Sequence, residues 1–385
     1  VSVAKQKLLR KGGRLKPLKI IVSGGGTGGH IFPAIAIANA IKALRPDTEF
    51  LFVGAEGKME MEKVPAAGYK IEGLWISGFQ RKISMSNLAF PFKVISSLLK
   101  AKKIFKTFKP DAVIGTGGFA SGPMLQVAAK NGAVTLVQEQ NSYPGITNKI
   151  LSKKVDRICV AYAGMEKYFP KQKILLTGNP VRQDILSLDG KRERGLEYFG
   201  LNGNKKIILV IGGSLGARTI NESIVNCLHE FEKNNIQLLW QTGKGFFDTA
   251  KQAVSKYEEK GISAFDFIQK MDYAYAVADI VISRAGASSV SELCLVKKPC
   301  ILIPSPNVAE DHQTKNAMAL VTHNAAVIIK DVDSREKLCS ETLALIYNET
   351  QCLKLSENIG RLAFQDSATV IANEVLSLIN KKGNK

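Results

Sequence analysis

The sequence predicts an α/β protein built as two doubly wound parallel sheets that face a common cleft. Its 385 residues exceed what one hydrophobic core usually organises, so two domains are expected. Apolar strand-like runs alternate with helical stretches from end to end, as βαβ units require. Glycine-rich loops follow three of these runs: Gly24-Gly25-Gly26-Thr27-Gly28-Gly29-His30, Gly115-Thr116-Gly117-Gly118-Phe119, and Gly212-Gly213-Ser214-Leu215-Gly216. A strand that ends in glycine and turns at once into a helix leaves N–H groups at the positive helix end, where a diphosphate can approach without meeting a Cβ.

In chain order, residues 1–17 form a basic arm that lacks the apolar stretch of a secretory signal. Strands of the first half are expected at 19–23, 49–53, 70–74, 112–115, 135–139 and 157–160, which places the first domain at 18–180. The turn Gly178-Asn179-Pro180-Val181-Arg182 and the charged stretch 189–204 read as the linker. Strands resume at 205–212, 237–241, 264–267, 280–283, 300–304 and 326–329 in a second domain spanning 181–364. Two sheets facing each other would bring all three glycine loops to one interdomain cleft, where open α/β sheets bind ligands.

Composition excludes several classes. No apolar run reaches the ~20 residues needed to span a bilayer. The six cysteines show no CxxC spacing and no neighbouring histidine, which fits free thiols in a reducing compartment and argues against zinc. A net charge of +19 favours an anionic partner, but the basic residues do not interleave with base-stacking aromatics, so nucleic acid is disfavoured. The charge is densest in 75–109, where Trp75, Phe79, Phe90, Phe92, Ile95 and Leu99 mix with Lys93, Lys100, Lys102, Lys103 and Lys106. This pattern suits an anionic membrane surface, each lysine adding roughly 1 kcal/mol; a core helix with a solvated lysine face reads equally well.

The first glycine loop is neither a dinucleotide fingerprint nor a P-loop, because neither the distant acidic residue nor the Lys-Ser/Thr pair is in place. Instead His30 opens the following helix, where the positive helix end suits a neutral base or hydrogen-bond donor. Glu139, at a strand end, is the rival base. Glu292 lies one turn into the helix after the run 279–283 and could accept both hydroxyls of a ribose, or simply complement the dipole. Gln313 and Asn316, at helical spacing after a proline-rich loop, suggest recognition of a sugar. The Asp331-Val332-Asp333 pair falls past the cleft, so no metal is required and no cofactor is expected.

Taken together, Gly25 to His30 with Pro33-Ala34, Gly115 to Phe119 with Gly122-Pro123, Glu139-Gln140-Asn141, Gly178 to Arg182, Gly212 to Ser214 with Gly216-Ala217-Arg218, and Arg284 to Ala287 through Glu292 resemble the MurG family of bacterial N-acetylglucosaminyltransferases. The resemblance runs in order from Lys19 to the C-terminus. It implies a GT-B fold of two Rossmann-like domains, with a final helix near 365–380 crossing back to the first. It also implies an inverting transfer of N-acetylglucosamine from UDP-N-acetylglucosamine to the C4 hydroxyl of the muramyl sugar of lipid I, at the cytoplasmic face of the cell membrane. Carried over by motif, Glu292 binds the ribose, Ser214 the nucleotide diphosphate, Ile268 the uracil through its backbone and Gln313 the sugar hydroxyls. Ala287, Ser288, Ser289, Val290 and Ser291 line the donor from the helix start, while Thr27, Gly28, Gly29, Asn141 and Arg182 complete that site. Gly117, Gly118 and Phe119 face the acceptor diphosphate, with His30 the leading base, and Arg182 or Arg284 would stabilise the departing diphosphate. One departure stands out: His312-Gln313 replaces the two adjacent glutamines common in the family. Another glycolipid glycosyltransferase or a UDP-sugar epimerase are the rival functions.

Overall fold

The computed structural model describes residues 17–77, 90–213 and 216–383. The basic arm up to residue 16, residues 78–89 of the lysine-rich segment, and Ser214 with Leu215 lie outside the described residues.

The first sheet contains β1 (Lys19–Gly24), β2 (Glu49–Ala55), β3 (Ile71–Leu74), β4 (Ala112–Gly117), β5 (Val134–Glu139), β6 (Arg157–Val160) and β7 (Ile174–Leu176). Its helices are α1 (Gly28–Leu44), α2 (Glu60–Ala66), α3 (Phe90–Phe108), α4 (Ser121–Lys130) and α5 (Ile146–Leu151). The strand order β3-β2-β1-β4-β5-β6-β7 is parallel in every pair. Ile20, Ile21 and Val22 are fully buried, as expected of a strand covered on both faces. The edge strand β7 escapes sequence reading because it is short and partly exposed.

The second sheet contains β8 (Ile207–Ile211), β9 (Gln237–Gln241), β10 (Ile262–Phe265), β11 (Ile280–Ser283), β12 (Cys300–Leu302) and β13 (Val327–Ile328), in the order β10-β9-β8-β11-β12-β13. Around it lie α6 (Lys191–Phe199), α7 (Arg218–Lys233), α8 (Phe247–Val254), α9 (Met271–Val277), α10 (Ala287–Val296), α11 (His312–Val321), α12 (Ser334–Ile346) and α13 (Glu349–Arg361). Two expectations shift here. β10 begins two residues before the expected start, because Ile262 pairs with Leu238 of β9. The charged stretch read as linker folds into α6, where Gly195 has no Cβ to clash with Val277 and Tyr273 of α9.

Strand order reverses between β1 and β4 in one sheet and between β8 and β11 in the other. The loops after β1, β4 and β8 are the three glycine loops, and the turn after β11 opens the helix that carries Glu292. Both switch points therefore carry the motifs named from sequence, at the place where open α/β sheets bind ligands. The final helix α14 (Ser367–Gly383) buries Ile371, Ala372 and Val375 among Ile20, Val22, Ile37 and Ile41 of the first domain. Arg157 pairs with Glu374 of this helix at 2.6 Å. The two chain crossings touch: Gly178 sits at φ +73°, and a Cβ there would come 2.3 Å from Cβ of Phe364.

Candidate functional site

Backbone geometry makes the first two glycine loops one cradle. A Cβ on Gly24 would meet Thr116 Oγ1 at 2.0 Å, one on Gly118 would meet the Gly25 carbonyl at 2.4 Å, and one on Gly117 would meet the His30 ring at 2.8 Å. Only glycine permits such approach, and Gly117 and Gly118 also adopt φ +101° and +82°. Gly28 and Gly29 open α1, so their N–H groups precede any intrahelical partner. Phe119 is half exposed at the lip.

A carboxylate that sequence reasoning missed braces this cradle. Glu60, fully buried on α2, accepts from the N–H of Gly26 at 2.8 Å and of Ala55 at 2.9 Å. Its local sequence looks like an ordinary charged helix, so only the fold reveals the role. The Gly26 N–H is consequently committed to protein.

The two base candidates part company. His30 is partly exposed, its Nδ1 lies 2.9 Å from Gln140 Oε1, and its carbonyl accepts from Thr116 Oγ1 at 2.8 Å. Glu139 is buried and accepts from Asn141 N at 3.0 Å, Gly145 N at 3.1 Å and Asn148 Nδ2 at 2.8 Å. Those bonds give Glu139 the work of shaping the loop after β5.

In the second domain, α10 starts at Ala287 and carries Ser288, Ser289, Val290 and Ser291 in its first turns. Glu292 accepts from Arg182 Nε at 2.9 Å on one oxygen and from the Tyr275 hydroxyl at 3.0 Å on the other. Burial pushes its carboxyl above the usual range, opposed by Arg182 and Tyr275. Burial likewise drives the Tyr275 phenol well above its ordinary value, with Glu292 adding to the shift. A carboxylate offers about four acceptor positions, so each oxygen retains capacity for a hydroxyl. Tyr275 was not foreseen, since its link to Glu292 depends on how α9 packs.

Several predicted residues are already partnered. Ile268 gives its N–H to Gln241 Oε1 at 3.0 Å, so that N–H is committed to protein. Gln313 accepts from Ser305 N at 2.9 Å through Oε1. Arg284 contacts Asp331 and donates to the carbonyls of Ile303 and Pro304 at 3.1 and 3.3 Å. Asn316 corrects the sugar reading: it is fully buried, accepts from Ser142 N at 3.0 Å, and donates to Asn141 Oδ1 at 3.1 Å and to the Ala285 carbonyl at 3.3 Å. It pins the two domains together.

Beside the cleft, α3 turns Phe92, Ile95 and Leu99 outward, each more than half exposed, while Ser97, Ala101 and Ile104 face the core. Trp75, half exposed, adjoins them through its carbonyl, which accepts from Ser97 Oγ at 3.0 Å. Among the described residues, no helix is long and apolar enough to cross a membrane.

Two Rossmann-like domains with glycine loops at both switch points define the GT-B fold, and comparison with known proteins adds the glycosyltransferase class. The glycosyltransferase family 28 N-terminal domain matches residues 20–160 and its C-terminal domain residues 207–371. A UDP-N-acetylglucosamine–N-acetylmuramyl-(pentapeptide) pyrophosphoryl-undecaprenol N-acetylglucosamine transferase from Cytophaga hutchinsonii is 57% identical over 365 residues, covering 95% of this chain and 98% of the relative. The crystal structure of Acinetobacter baumannii MurG superposes with a TM-score of 0.76 at 25% identity, covering 94% of this chain and all of that one. A UDP-GlcNAc 2-epimerase from Neisseria meningitidis shares the fold alone, with a TM-score of 0.64 at 13% identity over 94% of this chain and 100% of that one. The chain belongs to the MurG family of hexosyltransferases.

Proposed function

We propose that this protein transfers N-acetylglucosamine from UDP-N-acetylglucosamine to the C4 hydroxyl of the muramyl sugar of undecaprenyl-linked lipid I, forming lipid II. The observation that carries the reading is the pairing of two kinds of site, one in each domain, joined where Asn179 bonds to the Gln140 carbonyl and Ser291 Oγ. The interlocked cradle of Gly24, Gly25, Gly117 and Gly118 lies against His30 on one side, and Glu292 with Arg182 lies on the other. The first domain then receives the acceptor diphosphate and the second the nucleotide.

In this mechanism the C4 oxygen attacks the anomeric carbon opposite to UDP. The C–O bond to the β-phosphate breaks with its electrons leaving on UDP, and the hydroxyl proton passes to His30 Nε2. The α-linked sugar becomes β-linked. His30 is favoured over Glu139 because the carboxylate is buried and its oxygens already accept backbone and amide hydrogens. Charge on the leaving diphosphate falls to the N-terminal ends of α7 and α10, since Arg284 is engaged by Asp331 and Arg182 by Glu292. Glu292 would receive the ribose hydroxyls, the Ile268 carbonyl the uracil, and the Gln313 amide group the sugar, with Ser214 and Asn141 completing the donor site.

The outward stripe of Phe92, Ile95 and Leu99 continues along α3 into Lys102, Lys103 and Lys106, all exposed. Apolar side chains turned away from the core favour the membrane reading over the core-helix one, with the enzyme peripheral on an anionic cytoplasmic leaflet. The test is sugar transfer from radiolabelled UDP-N-acetylglucosamine to a soluble lipid I analogue, with epimerised sugar assayed alongside. Transfer is expected and should fall by about 100- to 10,000-fold in His30→Ala, leaving a measurable residual rate; epimerisation without transfer would overturn the proposal.

A further inference from the structure

We propose that Gln140 is a positioning residue that holds the His30 ring as its Nδ1–H tautomer, and that a relay of buried first-domain amides, anchored on the second domain, fixes Gln140 itself. What the free Nε2 then does rests on the base role given above. The deduction starts from backbone carbonyls, which can only accept. Asn179 Nδ2 lies 2.9 Å from the Gln140 carbonyl, 3.5 Å from the Ala287 carbonyl and 3.0 Å from Ser291 Oγ, so that end of Asn179 is the amide nitrogen. Its oxygen accepts from Gln138 Nε2 at 2.8 Å, which turns Gln138 Oε1 toward Gln140. Gln140 Nε2 donates to that oxygen and also to the carbonyls of Thr116 at 2.7 Å and Gln138 at 3.1 Å. Reversing the Gln140 amide would set its oxygen against three others. Gln140 Oε1 must therefore face His30 Nδ1 at 2.9 Å, and only a protonated Nδ1 can bond to it.

Nothing in this chain is loose. Gln138, Gln140 and Asn179 are all buried, and the His30 ring lies against the Gly117 backbone where a Cβ would stand 2.8 Å away. In the neutral ring with hydrogen on Nδ1, the lone pair is on Nε2. After proton transfer, the imidazolium keeps its Nδ1–H on Gln140. The relay begins at Ala287 and Ser291 in the first turns of α10, the helix that carries Glu292. Holding the tautomer is work that a neighbouring group does for a catalytic histidine elsewhere, where the wrong tautomer costs several orders of magnitude in rate.

The experiment is nitrogen NMR of the protein labelled at its four histidines, with His30 assigned by loss of its signals in His30→Ala. The wild type should show the Nδ1–H pattern for His30; an Nε2–H pattern overturns the proposal without need of any variant. Gln140→Met, similar in length but without the acceptor, should abolish the tautomer preference. It should also lower kcat by about 10- to 100-fold with KM for UDP-N-acetylglucosamine within about threefold. In a His30→Ala background the same change should cost no further kcat, whereas an equal additional loss would reduce Gln140 to a fold-maintaining residue and overturn the proposal. Full activity in His30→Ala would sink the base role, and the NMR result would still decide the tautomer separately.

Discussion

Asn316 offers the sharpest test of how the two domains are held. In Asn316→Ala, the Ser142 N–H and the fully buried Ala285 carbonyl lose partners at 3.0 and 3.3 Å around a side chain that is itself fully buried. Each stranded backbone group costs about 1–3 kcal/mol. The Ser142 hydroxyl, 3.1 Å from Asn316 Oδ1, can rotate to another acceptor, and partly exposed Asn141 can turn to water. The expected loss is therefore about 2–6 kcal/mol, drawn from the two backbone groups alone. Asn316→Asp should cost more than the alanine change, because a carboxylate oxygen would face both Asn141 Oδ1 and the Ala285 carbonyl. Denaturant unfolding followed by tryptophan fluorescence reads the effect in each domain, since Trp75 lies in the first and buried Trp240 in the second. The transitions of the two domains should separate in the alanine variant. Coincident transitions with a change below about 1 kcal/mol would refute the pin.

Three further perturbations follow from the same geometry. In the proposed donor site a ribose would donate to Glu292 as a carboxylate, so UDP affinity should be present above the pKa of this group and lost as pH falls through it. Arg182 opposes the upward push of burial. In Arg182→Met the loss should therefore occur at higher pH than in the wild type, and calorimetric titration across pH with an unmoved midpoint would remove Glu292 from the ribose site. Gly178→Ala forces a left-handed backbone at φ +73° on an L-residue and drives its Cβ into Phe364. The first costs about 1–2 kcal/mol and the second about 1–3 kcal/mol, so a wild-type denaturation midpoint would contradict the crossing described. Replacing Phe92, Ile95 and Leu99 together by serine should weaken binding to anionic vesicles by at least about tenfold, given about 1.5–3 kcal/mol per buried apolar side chain. Transfer to a soluble acceptor should be unchanged, and vesicle binding that survives the change would move the membrane contact elsewhere.

The strands were legible because parallel sheets bury both faces and so read as apolar runs; Ile20, Ile21 and Val22 are typical. β7 was not, since Ile174–Leu176 is partly exposed, and β10 was misplaced because its bounds come from pairing with β9 and not from its own pattern. The glycine loops were legible in position and the residue types in chemistry. Partnership was not, because it joins residues distant in sequence. Gln313 and Asn316 are both amides on α11, and either could address a sugar hydroxyl. The fold separates them: Gln313 is partly exposed with Oε1 on Ser305, whereas Asn316 is enclosed with each end of its amide bonded across the domain boundary, to Ser142 N and Asn141 Oδ1. Glu139 and His30 separate in the same way, one enclosed by donors and the other left with a ring nitrogen for chemistry. In both pairs the amino-acid type sets what a side chain can do, and the number of its bonds already satisfied by protein decides which member remains for the substrate.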